Sequence, residues 1–217
     1  MLKITYRETA LNIFLLCFLT PSFAWAKTYP SPSPLREETH PINIRYQSVK
    51  IFPSLHRKVG LTVGIAPFKD ARHSRLYVGH YVHKRVSNYL KSESIPLEEV
   101  ITDSLLQFLS LHEIKTIPIL NWNGKEQSLK KIRADSILMI EIMRFWSEGK
   151  VSGRRTNVNT SIYFIIRLGV KGEGKVFKRE VYTIKKSSIV ELTPATMEQI
   201  INQTLTEILD TFFSNPY

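Results

Sequence analysis

Cysteine is almost absent from this 217-residue sequence, and Cys17 is the only one. A single cysteine excludes an intrachain disulfide, so the core must hold the fold together without a covalent link. The sequence also lacks a Gly-x-Ser-x-Gly elbow and a glycine-rich phosphate loop. These absences argue against a serine hydrolase and against a nucleotide-binding P-loop. We therefore expect a protein that is not an enzyme and that binds no cofactor.

A membrane-spanning run is missing from the amino terminus, because the apolar run at residues 13–19 is well short of the roughly 20 residues that cross a bilayer. Two basic residues precede this run, and the small residues Ala24 and Ala26 follow it. These are the three parts of a secretory signal peptide. We predict a signal peptide at residues 1–26, cleavage before Lys27, and export to the periplasm or to the periplasmic face of the outer membrane.

Two alternatives stay open for this amino-terminal segment. Cys17 could be the lipidated first residue of a bacterial lipoprotein, but Leu16 stands where such a signal has Gly, Ala or Ser. Membrane association through a lipid anchor therefore has weak support. The segment could also form a buried amphipathic helix.

Acidic residues are scarce beside basic ones, with 19 Asp and Glu against 30 Lys and Arg, and the net charge is +11. Because export separates the protein from nucleic acid, we expect no nucleic-acid partner. A basic exported protein meets phosphorylated glycolipid, anionic phospholipid or acidic peptidoglycan, which its field would attract. The alternative is that the surplus lysine only keeps the surface soluble.

Patterning along the rest of the chain predicts one domain. Residues 27–41 alternate proline with polar residues, which predicts an extended tether, and residues 42–217 hold the domain. Its fold class is α+β, with a single mixed, mostly antiparallel sheet and two helices packed on one face. The predicted elements are strands at residues 42–46, 59–68, 114–120, 137–146, 158–170 and 176–186, helices at 96–111 and from 194, a long loop at 69–95, and a basic hairpin loop at 148–157.

The predicted hairpin loop is a candidate site for an anionic ligand. Lys150, Arg154 and Arg155 lie close together in it, and Arg side chains bind phosphate through paired N–H groups. The same charges would also keep an exposed turn in solution, so both interpretations stay open.

A second candidate is the sheet face that the helices leave uncovered. Strand alternation places Trp146, Tyr163 and Ile165 on it, and exposed apolar groups there would mark a partner interface. Glu141 is an acid within an apolar strand. We expect Arg167 on the neighbouring strand to pair with it, in preference to a catalytic role.

Three histidines, His73, His80 and His83, are weak candidates for a metal site. Two imidazoles three residues apart can share a metal if the chain turns helically. No cysteine and no acid lies within residues 73–84 to complete the ligand shell. We expect solvated loop histidines and no bound metal.

Four stretches of the sequence resemble the YajG-like family of uncharacterised bacterial envelope lipoproteins. They are VGLTVGIAPFKDAR, ADSILMIEIMRFW, TNVNTSIYFIIRLGV and TPATMEQIINQTLTEILDTFF, and the likeness spans residues 42–213. The resemblance implies an α+β domain that faces the periplasm and is associated with the outer membrane, without established catalytic residues. Members of the family usually carry a clear lipidation cysteine, and the surroundings of Cys17 depart from that pattern.

Three functional hypotheses follow. The first is a non-enzymatic exported envelope protein that binds a macromolecular partner, such as another envelope protein, at the periplasmic side of the outer membrane, as an accessory to assembly or transport. The alternative is a small-ligand or anionic-glycolipid binding module that uses the basic hairpin. The third is a metal-dependent enzyme that uses the histidine loop.

Overall fold

The computed structural model describes residues 35–216, except for residues 49, 93–94 and 153–154. The predicted signal peptide and its cleavage site lie outside the described residues, as does Cys17. In chain order the elements are β1 (Arg36–Ile42), α1 (Leu55–Val59), β2 (Thr62–Ile65), β3 (Lys69–Asp70), β4 (Gly79–His83), β5 (Val86–Ser92), α2 (Leu97–Leu111), β6 (Lys115–Pro118), a 3₁₀ segment (Glu126–Lys131), β7 (Ser136–Ser152), β8 (Arg155–Val170), β9 (Lys175–Ile189) and α3 (Pro194–Ser214).

Strand β7 is the axis of the sheet. Its 17 residues pair antiparallel with β8, and β8 pairs antiparallel with β9. This three-stranded meander was predicted from the alternation of apolar and polar residues in β8. On its other side β7 pairs in parallel with β2, then β3, then β4. Strand β6 lies beyond β2, while β5 and β1 lie beyond β4.

The α+β class and the mixed sheet are confirmed, but the sheet is more extensive than predicted. Five of the eight strand pairings among the described residues are parallel. Parallel neighbours need a long crossover connection. For the parallel pair β2 and β7 this connection is residues 66–135, which contain the β4–β5 hairpin and α2.

The two long helices cover the same face of the sheet, as predicted. The ring centroids of Phe108 in α2 and Phe213 in α3 are 4.6 Å apart, and one hydrophobic cluster joins both helices to the central strands. Helix α3 begins where the sequence indicates. The Thr193 hydroxyl accepts a hydrogen bond of 3.2 Å from the Thr196 N–H, and Pro194 occupies the first turn.

The predicted tether at residues 27–41 is wrong over its last part. Residues Arg36–Ile42 form β1, which pairs in parallel with β5. Pro41 is tolerated there because β1 is an edge strand, where a missing backbone N–H leaves no neighbouring strand unpaired. Residues 27–34 of the tether lie outside the described residues.

The strand predicted at residues 42–46 is wrong after Ile42, because residues 43–48 contain no strand residue and run along α3 instead. The backbone N–H groups of Asn43, Arg45 and Gln47 donate to side chains of α3. Their acceptors are Glu198, Asn202 and Thr206, at 3.1, 3.0 and 3.1 Å. Alternate N–H groups of an extended chain are about 6.6 Å apart, close to the rise of about 6 Å over four helical residues. The alternation was therefore identified correctly, but its partner is a helix.

The long loop predicted at residues 69–95 is also wrong, because it contains β3, β4 and β5. Strands β4 and β5 are joined by Lys84 and Arg85, whose φ values are 47° and 66°. Two positive φ values are typical of a type I′ hairpin turn, which usually contains Asn or Gly. The sequence has neither residue at this turn. Much of the hairpin loop predicted at residues 148–157 is strand as well, since β7 runs to Ser152 and β8 starts at Arg155.

Candidate functional site

The candidate site is the side of β7, β8 and β9 that faces away from α2 and α3, which we call the open face. Near the start of β7 this face is covered, because Trp122, Leu129 and Ile132 pack against Ile137. Further along, Ser161 is buried and the other side chains are half-buried or exposed. The open face therefore has a covered end and an accessible remainder.

The middle of the open face is aromatic and apolar. Cross-strand pairing aligns Arg144 with Tyr163 and Tyr182 in one row, and Trp146 with Ser161 and Ile184 in the next. The predicted partner residues Trp146, Tyr163 and Ile165 all lie on this face and are half-buried.

The sequence analysis missed the contribution of β9 to this surface. Tyr182 and Ile184 are 55% and 48% exposed, and the ring of Tyr182 lies edge-on to that of Tyr163 with centroids 6.1 Å apart. The alternation of β9 could have revealed both residues, because Val181 between Glu180 and Tyr182 is buried against the helices. Lysines on both faces of β9 weaken that pattern.

Most charges on the open face are paired within it. Arg167 Nη1 lies 2.7 Å from Glu141 Oε1, which confirms the predicted ion pair between β8 and β7. The Tyr163 hydroxyl donates a 2.7 Å hydrogen bond to Glu180, which raises the pKa of Tyr163 and lowers the pKa of Glu180. Arg144, in contrast, is exposed and forms no hydrogen bond or ion pair with the part of the chain that the structure describes.

The end of the open face nearest the β7–β8 turn is polar and includes part of the predicted anion site. Lys150 and Arg155 are exposed, and Lys150 Nζ lies 3.1 Å from Glu148 Oε1. Arg154 lies outside the described residues. Lys150 is therefore partly neutralised by its neighbour, and the hairpin offers less free charge than the sequence suggests.

The three candidate histidines do not converge on one point. His80 and His83 lie on β4, where residues three apart face opposite sides of the sheet, and His73 lies in the loop before that strand. His80 Nε2 contacts the Ser87 hydroxyl at 3.5 Å, and its ring lies 4.8 Å from that of Tyr89. Within the described ranges no three His, Cys, Asp or Glu side chains cluster as a metal ligand set requires.

A buried ion pair shapes the loop between β3 and β4. Arg72 and Asp70 are 6% and 4% exposed, and Arg72 Nη2 lies 2.8 Å from Asp70 Oδ2. The same guanidinium donates to the backbone oxygens of Arg75 and Tyr77, at 3.1 and 3.0 Å. The ring of Tyr77 in turn stacks on Tyr89, with centroids 4.7 Å apart. Asp70 and Arg72 belong to the stretch Phe-Lys-Asp-Ala-Arg, and their ion pair therefore fixes the conformation of this loop.

Comparison with known proteins gives the fold. No protein-family model matches the chain, and no curated protein sequence does. The solved structure of XCC0632 from Xanthomonas campestris, of the family DUF330, is 15% identical with a TM-score of 0.52, covering 82% of this chain and 93% of that one. At that identity it shows a shared fold alone.

Two further solved structures are similar at lower TM-scores. Lipoprotein GNA1162 from Neisseria meningitidis is 10% identical, with a TM-score of 0.37, and the match covers 69% of this chain and 98% of that one. A neuraminyllactose-binding hemagglutinin homolog from Helicobacter pylori is 11% identical, with a TM-score of 0.39, and the match covers 87% of this chain and 92% of that one.

Proposed function

We propose that this chain is an exported, non-enzymatic envelope protein that binds a protein partner through the open face, at the periplasmic side of the outer membrane. In this proposal it is an accessory to assembly or transport and belongs with the YajG-like lipoproteins. The observation that carries the proposal is the exposure of Tyr182 and Ile184 beside the half-buried Trp146, Tyr163 and Ile165. Contiguous exposed aromatic and apolar groups are typical of an interaction surface.

The charges of the open face indicate the chemistry of the partner. Glu141 pairs with Arg167 and Glu180 pairs with Lys178 inside the face, so these charged groups need no counter-charge from a partner. Arg144 lies next to Tyr163 across the strand pair and forms no ion pair with the described residues. We expect a partner surface that is apolar and carries a carboxylate opposite Arg144, because a buried guanidinium needs such a group.

Two features of the sequence and one comparison support this proposal. The signal-peptide pattern supports export, and the net charge of +11 suits contact with anionic envelope components. The fold shared with XCC0632 supports an α+β domain of the same fold. The described part of the chain contains no helix with the length and apolar content of a membrane span.

The test is affinity capture from solubilised cell envelopes with matched variants. The open-face variant is Tyr182→Ser with Ile184→Ser, and the control is Leu111→Ser with Ile51→Ser, whose apolar side chains are 80% and 83% exposed elsewhere. All three proteins should unfold at similar temperatures, because no buried group changes. We expect one envelope protein to be retained by the wild type and the control and lost from the open-face variant. Equal retention by the open-face variant would reject this surface as the interface.

A further inference from the structure

The polar end of the open face has a regular arrangement of side chains. Two adjacent cross-strand rows supply six of them, Glu148, Asn159 and Lys186 in one row and Lys150, Asn157 and Ser188 in the next. Together with Val151, Val158 and Ser187, these six residues line a cleft of about 730 Å³. Three strands about 4.8 Å apart and a row spacing of about 6.6 Å give a grid of roughly 10 by 7 Å, which suits a small polar ligand.

Most of the hydrogen-bonding groups in this cleft are unused. Asn157, Asn159, Lys186 and Ser188 have exposed side chains that bond to nothing else among the described residues. The one internal contact is the ion pair between Lys150 and Glu148. Because the six residues lie on paired strands, their backbone positions are fixed before a ligand arrives, and binding restricts only the rotation of their side chains.

The composition of the cleft selects a ligand class. Asn157, Asn159 and Ser188 each offer both a donor and an acceptor, which is what sugar hydroxyl groups require. Lys150 and Lys186 supply positive charge that outweighs Glu148, which favours an anionic substituent. The next row of the sheet contains Trp146 and Ile184, against which the C–H face of a sugar ring can pack.

We propose that this cleft binds a saccharide that carries an anionic group such as a phosphate. A bare phosphate would use the two amides and the hydroxyl only as donors and leave their acceptor oxygens unused, whereas sugar hydroxyl groups use both. A protein interface would be expected to have an apolar centre. None of the six polar residues belongs to the aromatic rows of the proposed protein interface, and the two sites share only Trp146 and Ile184 at their boundary. The cleft replaces the sequence-based hairpin site of Lys150, Arg154 and Arg155 with one that shares only Lys150.

The proposal is tested by nuclear magnetic resonance of the ¹⁵N-labelled protein titrated with glucose 1-phosphate, glucose and inorganic phosphate. We expect glucose 1-phosphate to shift the side-chain amide signals of Asn157 and Asn159, with a Kd at least fivefold lower than that of glucose or inorganic phosphate. Absence of these shifts, or equal binding of inorganic phosphate, would overturn the proposal.

Matched variants locate the binding. Asn159→Ala with Lys186→Gln removes one amide and one cation from the cleft, and we expect it to weaken glucose 1-phosphate binding at least tenfold. The control, Lys175→Gln with Lys178→Gln, removes more charge from the same strand outside the cleft and should change the Kd less than twofold. An equal loss in both variants would mean diffuse attraction to a basic surface and would also overturn the proposal.

The anionic sugar could be free or part of a lipid head group. Phosphatidylcholine vesicles that contain lipid A, a phosphorylated disaccharide lipid, distinguish these sources when they are added to the protein bound to glucose 1-phosphate. If the vesicles displace glucose 1-phosphate from the wild type and do not bind the cleft variant, the site belongs to a lipid head group. Binding of the free sugar without such competition assigns it to a soluble saccharide.

Discussion

Removal of the buried guanidinium of Arg72 should destabilise the protein strongly. This side chain donates to both carboxylate oxygens of Asp70 at 2.8 to 3.1 Å and to the backbone oxygens of Arg75, Tyr77 and Phe145 at 3.1, 3.0 and 3.2 Å. In the variant Arg72→Met, Asp70 stays buried as a charge without its partner. Three backbone carbonyls lose a donor as well.

The expected magnitude follows from the cost of a buried, unpaired charge. Breaking a buried ion pair by removing one partner costs about 3–5 kcal/mol, against a total stability of about 5–15 kcal/mol for a typical domain. Arg72→Lys keeps the charge but not the planar fork, so we expect about half of that loss. In the double variant Asp70→Asn with Arg72→Met the isolated charge is gone, and stability should recover by about 1–2 kcal/mol relative to Arg72→Met alone.

The assay is urea unfolding followed by tryptophan fluorescence, with the free energy of unfolding compared among the four proteins. The order should be wild type, then Arg72→Lys, then the double variant, then Arg72→Met. A loss below about 1 kcal/mol for Arg72→Met would refute the reasoning, because it would mean that water or another group satisfies Asp70. A double variant less stable than Arg72→Met would refute it in a second way, since the isolated charge would not then be the cause.

Three smaller predictions follow. Asn202→Ala removes the two hydrogen bonds that Asn202 makes to the 43–48 segment, at 2.9 and 3.0 Å, and should cost about 2–3 kcal/mol in urea unfolding. Gly79→Ala would place a Cβ 2.7 Å from the backbone oxygen of Ser147 and should cost more than about 2 kcal/mol. Gly172→Ala, whose Cβ would have nothing within 4 Å, should be nearly neutral in the same assay. Hydrogen bonds from Thr62 lower the pKa of Asp135, so the native state binds fewer protons at this carboxylate than the unfolded state does. The stability that these bonds confer is therefore present above about pH 4 and is lost as the pH falls through the lowered pKa. Asp135→Asn should therefore flatten the fall in melting temperature between about pH 5 and about pH 2, and an unchanged fall would contradict this assignment.

Local sequence patterns were sufficient to predict the meander and the long helices. The alternation in β8 predicts both its strand and its buried face, so Tyr163 and Ile165 were assigned to the correct side of the sheet. The Thr193-Pro194 start of α3 is equally local, because the cap and the first turn are adjacent in sequence. Patterns of this kind need no knowledge of distant partners.

The remaining features depend on contacts that are distant in sequence. Nothing in residues 36–42 indicates that they pair with β5, which lies about fifty residues later in the chain. The hairpin turn at Lys84 and Arg85 uses residues with no preference for positive φ, so tertiary pairing of β4 and β5 must impose it. Burial of Arg72 was equally hidden, because an arginine in a polar stretch is usually exposed. The polar cleft escaped notice because its members come from three strands.

The central claim, that the open face contacts a protein partner in the cell envelope, is tested most directly by site-specific photocrosslinking in intact cells. A photoreactive p-benzoylphenylalanine would replace Tyr182 on the open face, Tyr163 beside it, or Leu111 at the exposed end of α2. The account predicts one adduct of the same higher mass from both open-face positions and no such adduct from Leu111. No adduct at either tyrosine position, or the same adduct from Leu111, would contradict it.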